Sequence, residues 1–250
     1  MPERYFCQIA AREKLADDIF AVTVGWKEAA NTRPGQFIHI KCGDLLLRRP
    51  ISICSVSENT LKFVFEVKGE GTSRLSQCKV GEVLDILGPL GNGFTLPQGR
   101  VIAVGGGIGV PPMLHAAQSH DGPVTAVLGF RDKHRVILKS EFESVCDEVI
   151  VTTDDGSAGI HGPVTKPLED LLKADAEVTV LACGPRAMLQ AVAQVCEKYG
   201  APCRVSLEER MGCGVGACLV CACATRVDGA DYMQRVCKDG PVFNAREVVW

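Results

Sequence analysis

Four cysteines in the last fifth of the sequence constrain this chain more than any other feature. Cys213, Cys218 and Cys221 follow a C-x4-C-x2-C pattern, and Cys237 comes after them. Glycines placed before and between these cysteines let the backbone turn tightly and direct its N–H groups toward sulfur. The spacing is typical of a [2Fe–2S] cluster held by four thiolates. We therefore predict metal ligands at Cys213, Cys218, Cys221 and Cys237, and a protein that transfers single electrons.

Zinc is the main alternative occupant of this cysteine tail. Structural zinc sites commonly use two C-x2–4-C pairs, or combine cysteine with histidine. This tail has one C-x2-C pair and no histidine after His161. Cys223 is a spare thiol that could replace a ligand. We favour Cys237 as the fourth ligand because it lies in a segment rich in turn residues, and the sequence leaves that choice open.

Length, charge and cysteine content narrow the class of protein. A chain of 250 residues, 46% hydrophobic, can form two medium domains and a small appendage. A net charge of −3, with acidic and basic residues mixed, argues against binding to nucleic acid or to an anionic membrane. Thirteen cysteines favour a reducing compartment and metal ligation over disulfides. Without a signal-peptide pattern or a membrane-length apolar run, we expect a cytoplasmic protein.

Short alternating runs, separated by turn residues, fill the first part of the chain. They predict an antiparallel β-barrel domain over residues 1–98, with a sandwich as the alternative. The predicted strands cover residues 5–11, 19–24, 36–41, 61–67 and 83–87, and one short helix covers residues 72–77.

From residue 99 the pattern changes to strands followed by helices. Four such repeats predict a parallel sheet with helices on both faces, over residues 99–202. The predicted pairs are 101–104 with 111–119, 124–128 with 139–145, 148–152 with 165–172, and 177–182 with 186–199. A last strand over 203–208 leads into a small C-terminal domain, residues 203–250.

Two glycine-containing loops follow strands of this predicted sheet. The first contains Gly105, Gly106, Gly107 and Gly109, and the second is Cys183-Gly184-Pro185. Open parallel sheets bind ligands beyond the carboxyl ends of their strands, so the two loops together predict a nucleotide site. Val110 stands where G-x-G-x-x-G would need its third glycine, so a simple tight strand–helix turn remains an alternative.

Two segments of the barrel region could bind a second phosphate-containing group. Arg48 and Arg49 precede Pro50, Ile51 and Ser52, and such a set can serve the pyrophosphate or ribityl chain of a flavin. A solvated edge strand is the alternative. A second possible phosphate site is the Gly-Glu-Gly-Thr-Ser segment at residues 69–73.

The sequence motifs do not decide between NAD and NADP as the bound nucleotide. No acidic residue stands clearly at the end of the second parallel strand, where one would bind a ribose 2′-hydroxyl. Arg131 and Arg135 follow that strand and could accept a 2′-phosphate. The loop at residues 154–157, Asp-Asp-Gly-Ser, could bind ribose or nicotinamide, or be a simple loop.

Together these motifs resemble the ferredoxin reductase-type flavoproteins, and most closely the electron-transfer subunits of class 1B dihydroorotate dehydrogenases. The resemblance extends over essentially the whole chain. It rests on the motifs at residues 49–52, 71–72, 88–93, 105–109, 154–157 and 208–211, and on the four cysteines. The fourth-cysteine spacing is shorter than in plant ferredoxins, as it is in this family.

The resemblance implies a fold, cofactors and contacts. The fold would comprise an antiparallel FAD-binding β-barrel, a parallel-sheet nucleotide-binding domain and a small C-terminal [2Fe–2S] domain. The four cysteines named above would hold the cluster, and no catalytic residue is assigned. The residues implied to contact FAD are Arg49, Pro50, Ile51, Ser52, Val64, Phe65, Glu66, Gly71 and Thr72.

The resemblance also implies a role in de novo pyrimidine biosynthesis. Such subunits form heterotetramers, in which two of them assemble with two FMN-containing catalytic subunits that oxidise dihydroorotate. Electrons would pass from FMN through the cluster and FAD to NAD+. The choice of NAD over NADP rests on this resemblance. The alternative is the small subunit of another flavin complex, such as an NADH-dependent ferredoxin:NADP+ oxidoreductase or a sulfide dehydrogenase. The third hypothesis is a non-enzymatic interaction module that is stabilised by a zinc ion.

Overall fold

The computed structural model describes residues 3–250, and its first part is a closed antiparallel barrel. Around the barrel the strands run in the order β1-β2-β5-β4-β3-β6. They are β1 (Glu3–Ala16), β2 (Ile19–Gly25), β3 (Phe37–Ile40), β4 (Arg49–Val56), β5 (Thr60–Glu66) and β6 (Val83–Leu90). The predicted barrel is therefore confirmed over the sandwich.

The strand β4 was not among the predicted strands, and the sequence offered an edge strand at residues 48–53 only as the alternative. Arg49 and Pro50 pair with Ile40 and His39 of β3. The short helix α1 (Glu70–Leu75) begins two residues earlier than predicted. It starts directly after Gly69, because the Thr72 hydroxyl accepts the Gly69 N–H and closes the first turn.

A seven-stranded sheet follows, in the order β10-β9-β8-β7-β11-β12-β15. All its pairings are parallel except that of β15 with β12. Its strands are β7 (Val101–Gly106), β8 (Val124–Phe130), β9 (Glu148–Thr153), β10 (Ile160–His161), β11 (Thr179–Cys183), β12 (Cys203–Ser206) and β15 (Val242–Asn244). The helices are α2 (Val110–Gln118), α3 (Lys139–Glu143), α4 (Thr165–Ala174) and α5 (Arg186–Tyr199).

The helices cover both faces of this sheet, as predicted. Successive side chains of β7 point to opposite faces, as in any strand. Ile102 packs in one core cluster with Leu168 of α4 and Leu189 of α5. Ala103 packs in the other cluster with Met113 of α2, and α3 contributes Phe142 to the same face. A sheet buried on both sides explains why its strands read as continuous apolar runs.

The C-terminal tail leaves the large sheet and returns to it. Between β12 and β15 it forms a hairpin, β13 (Ala222–Val227) and β14 (Ala230–Arg235), which the sequence did not predict. The small and polar residues of this hairpin lack a recognisable strand pattern. The division into 1–98, 99–202 and 203–250 stays a prediction, since the tail begins and ends in strands of the large sheet. Across residues 3–250, no helix combines the length and apolar character that crossing a bilayer requires.

Candidate functional site

A cavity of about 700 Å3 lies between the barrel and the large sheet. Three segments line it: residues 47–50 at the start of β4, residues 184–186 after β11, and residues 207–211 after β12, together with Leu189. The structure thus brings Arg49 and Pro50 to the same space as Gly184 and Pro185. A cavity of this size, at the carboxyl ends of parallel strands, suits a bound cofactor.

Arg49 lies directly against α1 at this cavity. A β-carbon added to Gly71 would overlap the Arg49 guanidinium, so glycine at 71 lets the guanidinium lie close against α1. The guanidinium also donates a hydrogen bond to the Leu47 carbonyl. These contacts hold one positive charge at the cavity wall, where it can bind a phosphate or pyrophosphate.

Arg48 is engaged elsewhere, which corrects the interpretation of the two arginines as a joint anion site. Its guanidinium donates to the Asp85 carboxylate at 2.9 Å, to the Asp85 carbonyl at 2.9 Å and to the His39 carbonyl at 3.3 Å. Burial would raise the pKa of Asp85, but hydrogen bonds from Arg4 and Arg48 outweigh burial and lower it. Arg48 therefore links the start of β4 to β6 through hydrogen bonds.

The remaining predicted flavin contacts flank Arg49. Ile51 and Ser52 continue β4, and Val64 and Phe65 are buried in β5. The pairing of β4 with β5 ends at Ile53 and Phe63, although β4 continues to Arg49 and β2 pairs with β5 as far as Glu66. Residues 49–52 of β4 and residues 64–66 of β5 are therefore not paired with each other, which leaves backbone groups between them for a cofactor.

Two of those predicted contacts already have partners within the protein. Glu66 forms ion pairs with Arg135 at 2.7 Å and with Lys68 at 3.1 Å. The Thr72 hydroxyl accepts hydrogen bonds from the N–H groups of Lys68 at 2.9 Å and Gly69 at 3.2 Å. Contact of these two side chains with FAD stays a prediction.

The two glycine-containing loops meet at neighbouring strand ends. Gly105 and Gly106 end β7, with Gly107 and Gly109 just beyond them, and β7 pairs with β11, which ends at Cys183. A β-carbon on Gly109 would overlap the Cys183 carbonyl and lie 2.6 Å from the nitrogen of Gly184. Pro185 begins the turn into α5. The loops therefore pack backbone to backbone, which requires glycine at 109.

The loop at residues 154–157 is closed by its own hydrogen bonds. Asp155 accepts hydrogen bonds from the Ser157 N–H at 2.9 Å and the Ser157 hydroxyl at 2.6 Å, and Ser157 accepts one from the Lys133 N–H at 2.8 Å. Arg135 pairs with Asp18 at 2.8 Å as well as with Glu66, so it is not free to accept a 2′-phosphate. Arg131 is exposed.

The four predicted cysteine ligands lie together in two pairs. Beside burial, Cys218 affects the pKa of the Cys213 thiol and Cys221 affects that of the Cys237 thiol, so the two members of each pair lie close together. Within residues 3–250, no three His, Cys, Asp or Glu side chains converge as the ligands of one metal ion do. A two-iron cluster takes two thiolates on each iron, so a two-plus-two arrangement of sulfurs fits that group.

Backbone N–H groups of the cysteine loop point at these sulfurs. Cys213 Sγ accepts hydrogen bonds from Val215 at 3.4 Å and Ala217 at 3.3 Å, and Cys237 Sγ accepts one from Gly216 at 3.1 Å. Burial would raise the pKa of the Cys213 thiol, but the hydrogen bonds from the loop outweigh burial and lower its pKa to about 6. The loop therefore favours the thiolate, which is the form that binds metal.

The spare thiol, Cys223, lies outside this set. It is buried on β13 in the hydrophobic core, where burial raises its pKa to about 11. The Cys237 N–H instead donates to Cys221 Sγ at 3.4 Å. The geometry therefore favours Cys237 over Cys223 as the fourth ligand.

Sequence reasoning missed several residues that build this site. Arg235 donates to the Gly216 carbonyl at 3.2 Å and is held by Asp239, so it fixes the peptide whose N–H, that of Ala217, meets Cys213. His39 lies buried beside the cysteine loop. Residues 208–211 line the cavity, whereas the sequence marked them only as part of the resemblance and gave them no role in the site. No sequence signal marked Arg235 or His39.

Comparison with known proteins places this geometry in a family. A family model for the iron–sulfur cluster binding domain of dihydroorotate dehydrogenase B matches residues 208–249, which contain all four cysteines. The chain is 41% identical over 247 residues to the dihydroorotate dehydrogenase B (NAD(+)) electron transfer subunit of Caldanaerobacter subterraneus subsp. tengcongensis, covering 97% of each chain. It is 42% identical over 256 residues to that of Bacillus caldolyticus, covering 96% of each. The chain belongs to the family of dihydroorotate dehydrogenase B electron transfer subunits.

Solved structures agree with the fold of this member of the dihydroorotate dehydrogenase B electron transfer subunits. An NADH-dependent reduced ferredoxin-NADP oxidoreductase, studied for flavin-based electron bifurcation, superposes with a TM-score of 0.89. It is 32% identical, and the match covers 98% of this chain and 90% of that one. A ferredoxin reductase of carbazole 1,9a-dioxygenase matches with a TM-score of 0.70 at 22% identity, covering 80% of this chain and 67% of that one, and shows the fold alone. The resemblance inferred from the motifs is confirmed.

Proposed function

We propose that this chain carries electrons from the FMN of a dihydroorotate-oxidising subunit to NAD+, through a [2Fe–2S] cluster and FAD, in pyrimidine biosynthesis. One observation carries the proposal: the paired cysteines begin at the wall of the cavity that joins the barrel to the glycine-containing loops. Met211 lines that cavity, and Cys213 follows it closely in the chain. A flavin between the barrel and the sheet would thus lie beside both the cluster and the nucleotide site.

For the flavin, the chain supplies a fixed charge and a stretch of unpaired strand backbone. Arg49 would hold the pyrophosphate while Pro50, Ile51 and Ser52 border the cofactor. The backbone of residues 64–66 does not pair with β4 and would be able to hydrogen-bond the cofactor. Gly71 allows the Arg49 guanidinium to lie close to α1. Bound FAD would exchange single electrons with the cluster and a hydride with nicotinamide.

For the nicotinamide nucleotide, the chain supplies the two packed loops. Gly105, Gly106, Gly107 and Gly109 would admit the phosphates close to the backbone at the start of α2. The Cys183-Gly184-Pro185 loop would border the nicotinamide end, since it lines the cavity shared with Arg49. NAD rather than NADP is supported by the relatives' name and by the engagement of Arg135 with Asp18 and Glu66.

For the cluster, the loop supplies two thiol pairs with hydrogen bonds to sulfur. Cys213 and Cys218 would bind one iron, and Cys221 and Cys237 the other. The partner would be an FMN-containing catalytic subunit, assembled as two copies of each chain. We place the complex in the cytoplasm, since all thirteen cysteines are free thiols, as a reducing compartment requires.

A second candidate function follows from the bifurcating reductase that superposes on this chain. The experiment that separates the two is co-expression with a dihydroorotate-oxidising subunit, followed by anaerobic assay of the purified complex. We expect NAD+ to be reduced when dihydroorotate is added. Reduction of NADP+ by NADH and reduced ferredoxin, with no response to dihydroorotate, would instead support the bifurcating function. A complex carrying Cys221→Ser should retain FAD and lose the coupling.

A further inference from the structure

His39 of β3 lies between the predicted flavin strand and the cysteine loop. Its cross-strand partner in β4 is Pro50, which follows Arg49. On its other side, a β-carbon added to Gly214 would lie 2.7 Å from His39 Nδ1 and 2.8 Å from Cε1. Gly214 has a φ of +72° and directly follows the ligand Cys213. The imidazole edge that carries Nδ1 therefore faces the backbone of the cysteine loop.

Both ring nitrogens of His39 are buried without a hydrogen-bond partner. The residue is 0% exposed, and neither Nδ1 nor Nε2 has a partner among residues 3–250. Burial, together with the charges of Arg48 and Arg49, lowers the pKa of His39 to about 4. The ring is therefore neutral at pH 7, with one N–H donor and one acceptor nitrogen. Leaving buried donor and acceptor groups unpaired is costly, which indicates that a partner is supplied from outside the chain.

The neighbouring apolar packing does not supply that partner. Phe37 meets the imidazole edge-on, with ring centroids 6.0 Å apart, and Leu87 of β6 pairs across from His39. Arg48 donates to the backbone carbonyl of His39 and not to its ring. An aromatic or aliphatic side chain would satisfy this packing equally well. The polar edge is directed at the cysteine loop, where cluster sulfurs are strong acceptors.

We propose that His39 is a positioning residue whose imidazole N–H donates a hydrogen bond to an inorganic sulfide of the [2Fe–2S] cluster. The inference rests on the proposed function, because it requires a bound cluster. Hydrogen bonds to cluster sulfurs help to set the reduction potential. They stabilise the reduced, more negative form more strongly, so His39 would raise the potential of the cluster. It would also link the strand that carries Arg49 to the loop that carries the cluster.

The test is a redox titration of the cluster-loaded protein, monitored by electron paramagnetic resonance. His39→Phe removes both nitrogens and preserves a flat ring. We expect it to bind its cluster and to show a lower cluster potential than the unsubstituted protein. His39→Asn, whose amide can reach the place of Nδ1, should restore the potential more fully than His39→Gln. The matched control is His115→Phe, a buried histidine of α2 with an unpartnered Nδ1, and its cluster potential should not change.

An unchanged cluster potential in cluster-loaded His39→Phe would overturn the proposal, as would a shift confined to the flavin. If the Phe variant does not fold, pulsed electron paramagnetic resonance on the unsubstituted protein with 15N-labelled histidine decides instead. Magnetic coupling between the reduced cluster and a histidine nitrogen is expected, and its absence would overturn the proposal. A protein that binds no cluster at all would contradict the proposed function itself.

Discussion

The carbonyl of Cys183 lies so close to the α-carbon of Gly109 that no side chain fits between them. This contact joins the two loops that we assign to the nicotinamide nucleotide. Gly109→Ala should push the loops apart, because a methyl group there overlaps rigid backbone. Overpacking of this kind costs about 1–3 kcal/mol, so NADH should bind about tenfold or more weakly. Binding is measured by titrating the flavin-loaded variant with NADH under anaerobic conditions.

Flavin content and cluster absorption of Gly109→Ala should stay near those of the unsubstituted protein, since the change is local to the loops. Gly25→Ala is the matched control, because a β-carbon at Gly25 meets nothing within 4 Å. That variant should bind NADH normally. Equal NADH affinity in Gly109→Ala and Gly25→Ala would show that the packed loops do not hold the nucleotide.

Replacement of single cysteines shows whether Cys237 or Cys223 is the fourth cluster ligand. Cys237→Ser should lose the cluster, because its sulfur contacts Cys221 and accepts the Gly216 N–H. Cys223→Ser should keep the cluster, because the N–H groups of the cysteine loop that meet sulfur are directed at Cys213 and Cys237. Iron content and visible absorption measure the difference, and FAD should remain bound in both variants. A normal cluster in Cys237→Ser would reassign the ligand.

The Arg235 guanidinium should protect the cluster without touching it. It holds the Gly216 carbonyl, and the N–H of the same peptide, that of Ala217, is directed at Cys213 Sγ. Outer partners of metal ligands commonly affect metal retention by about 10–100-fold. Arg235→Gln should therefore lose its cluster faster in the presence of a chelator, followed by the decay of visible absorption. Arg226→Gln, in an exposed ion pair of the same hairpin, should decay at the normal rate.

The ion pairs of Asp85 with Arg4 and Arg48 should stabilise the barrel less as the pH falls into the acid range. Its pKa is lowered in the folded protein, because Arg4 and Arg48 outweigh burial. A lowered folded-state pKa gives stability that is present above the unfolded pKa of about 3.9 and is lost as the pH falls through the folded value. Asp85→Asn should therefore lower the free energy of unfolding by about 1–3 kcal/mol at pH 7.

The difference between Asp85→Asn and the unsubstituted protein should shrink as the pH is lowered below about 4, where the carboxylate becomes protonated. Urea unfolding curves across this pH range measure it. Asp231→Asn removes a carboxylate from an exposed ion pair and should change stability little at any pH. A difference in the free energy of unfolding between Asp85→Asn and the unsubstituted protein that does not change with pH would contradict the ionic interaction.

Much of the fold could be predicted because strands and helices carry periodic apolar patterns. The helix Arg186–Tyr199 was predicted at both ends, since Pro185 precedes it and Gly200 ends it in the left-handed conformation. The strand β4 was offered only as an alternative, because Arg49 and Pro50 are atypical of strands. The hairpin β13–β14 was missed although Asp228-Gly229, both with positive φ, form the two-residue turn typical of a hairpin, because its strands consist largely of small and polar residues.

The candidate site was predictable where chemistry follows spacing along the chain. The four cysteines and the glycine-containing loops are of this kind. Contacts between distant segments were not predictable. Nothing in the sequence shows that Arg48 turns to Asp85, that Arg135 turns to Asp18, or that His39 faces Gly214. These contacts arise from how the barrel, the sheet and the tail pack together.

The most direct test of the central claim is an anaerobic NADH titration of the purified protein, with metal and flavin content determined on the same sample. We predict about two irons and about one FAD per chain. NADH should bleach the flavin band, and the cluster should then develop the electron paramagnetic resonance signal of its reduced form. A colourless preparation that contains zinc, or a flavin that does not respond to NADH, would contradict the account.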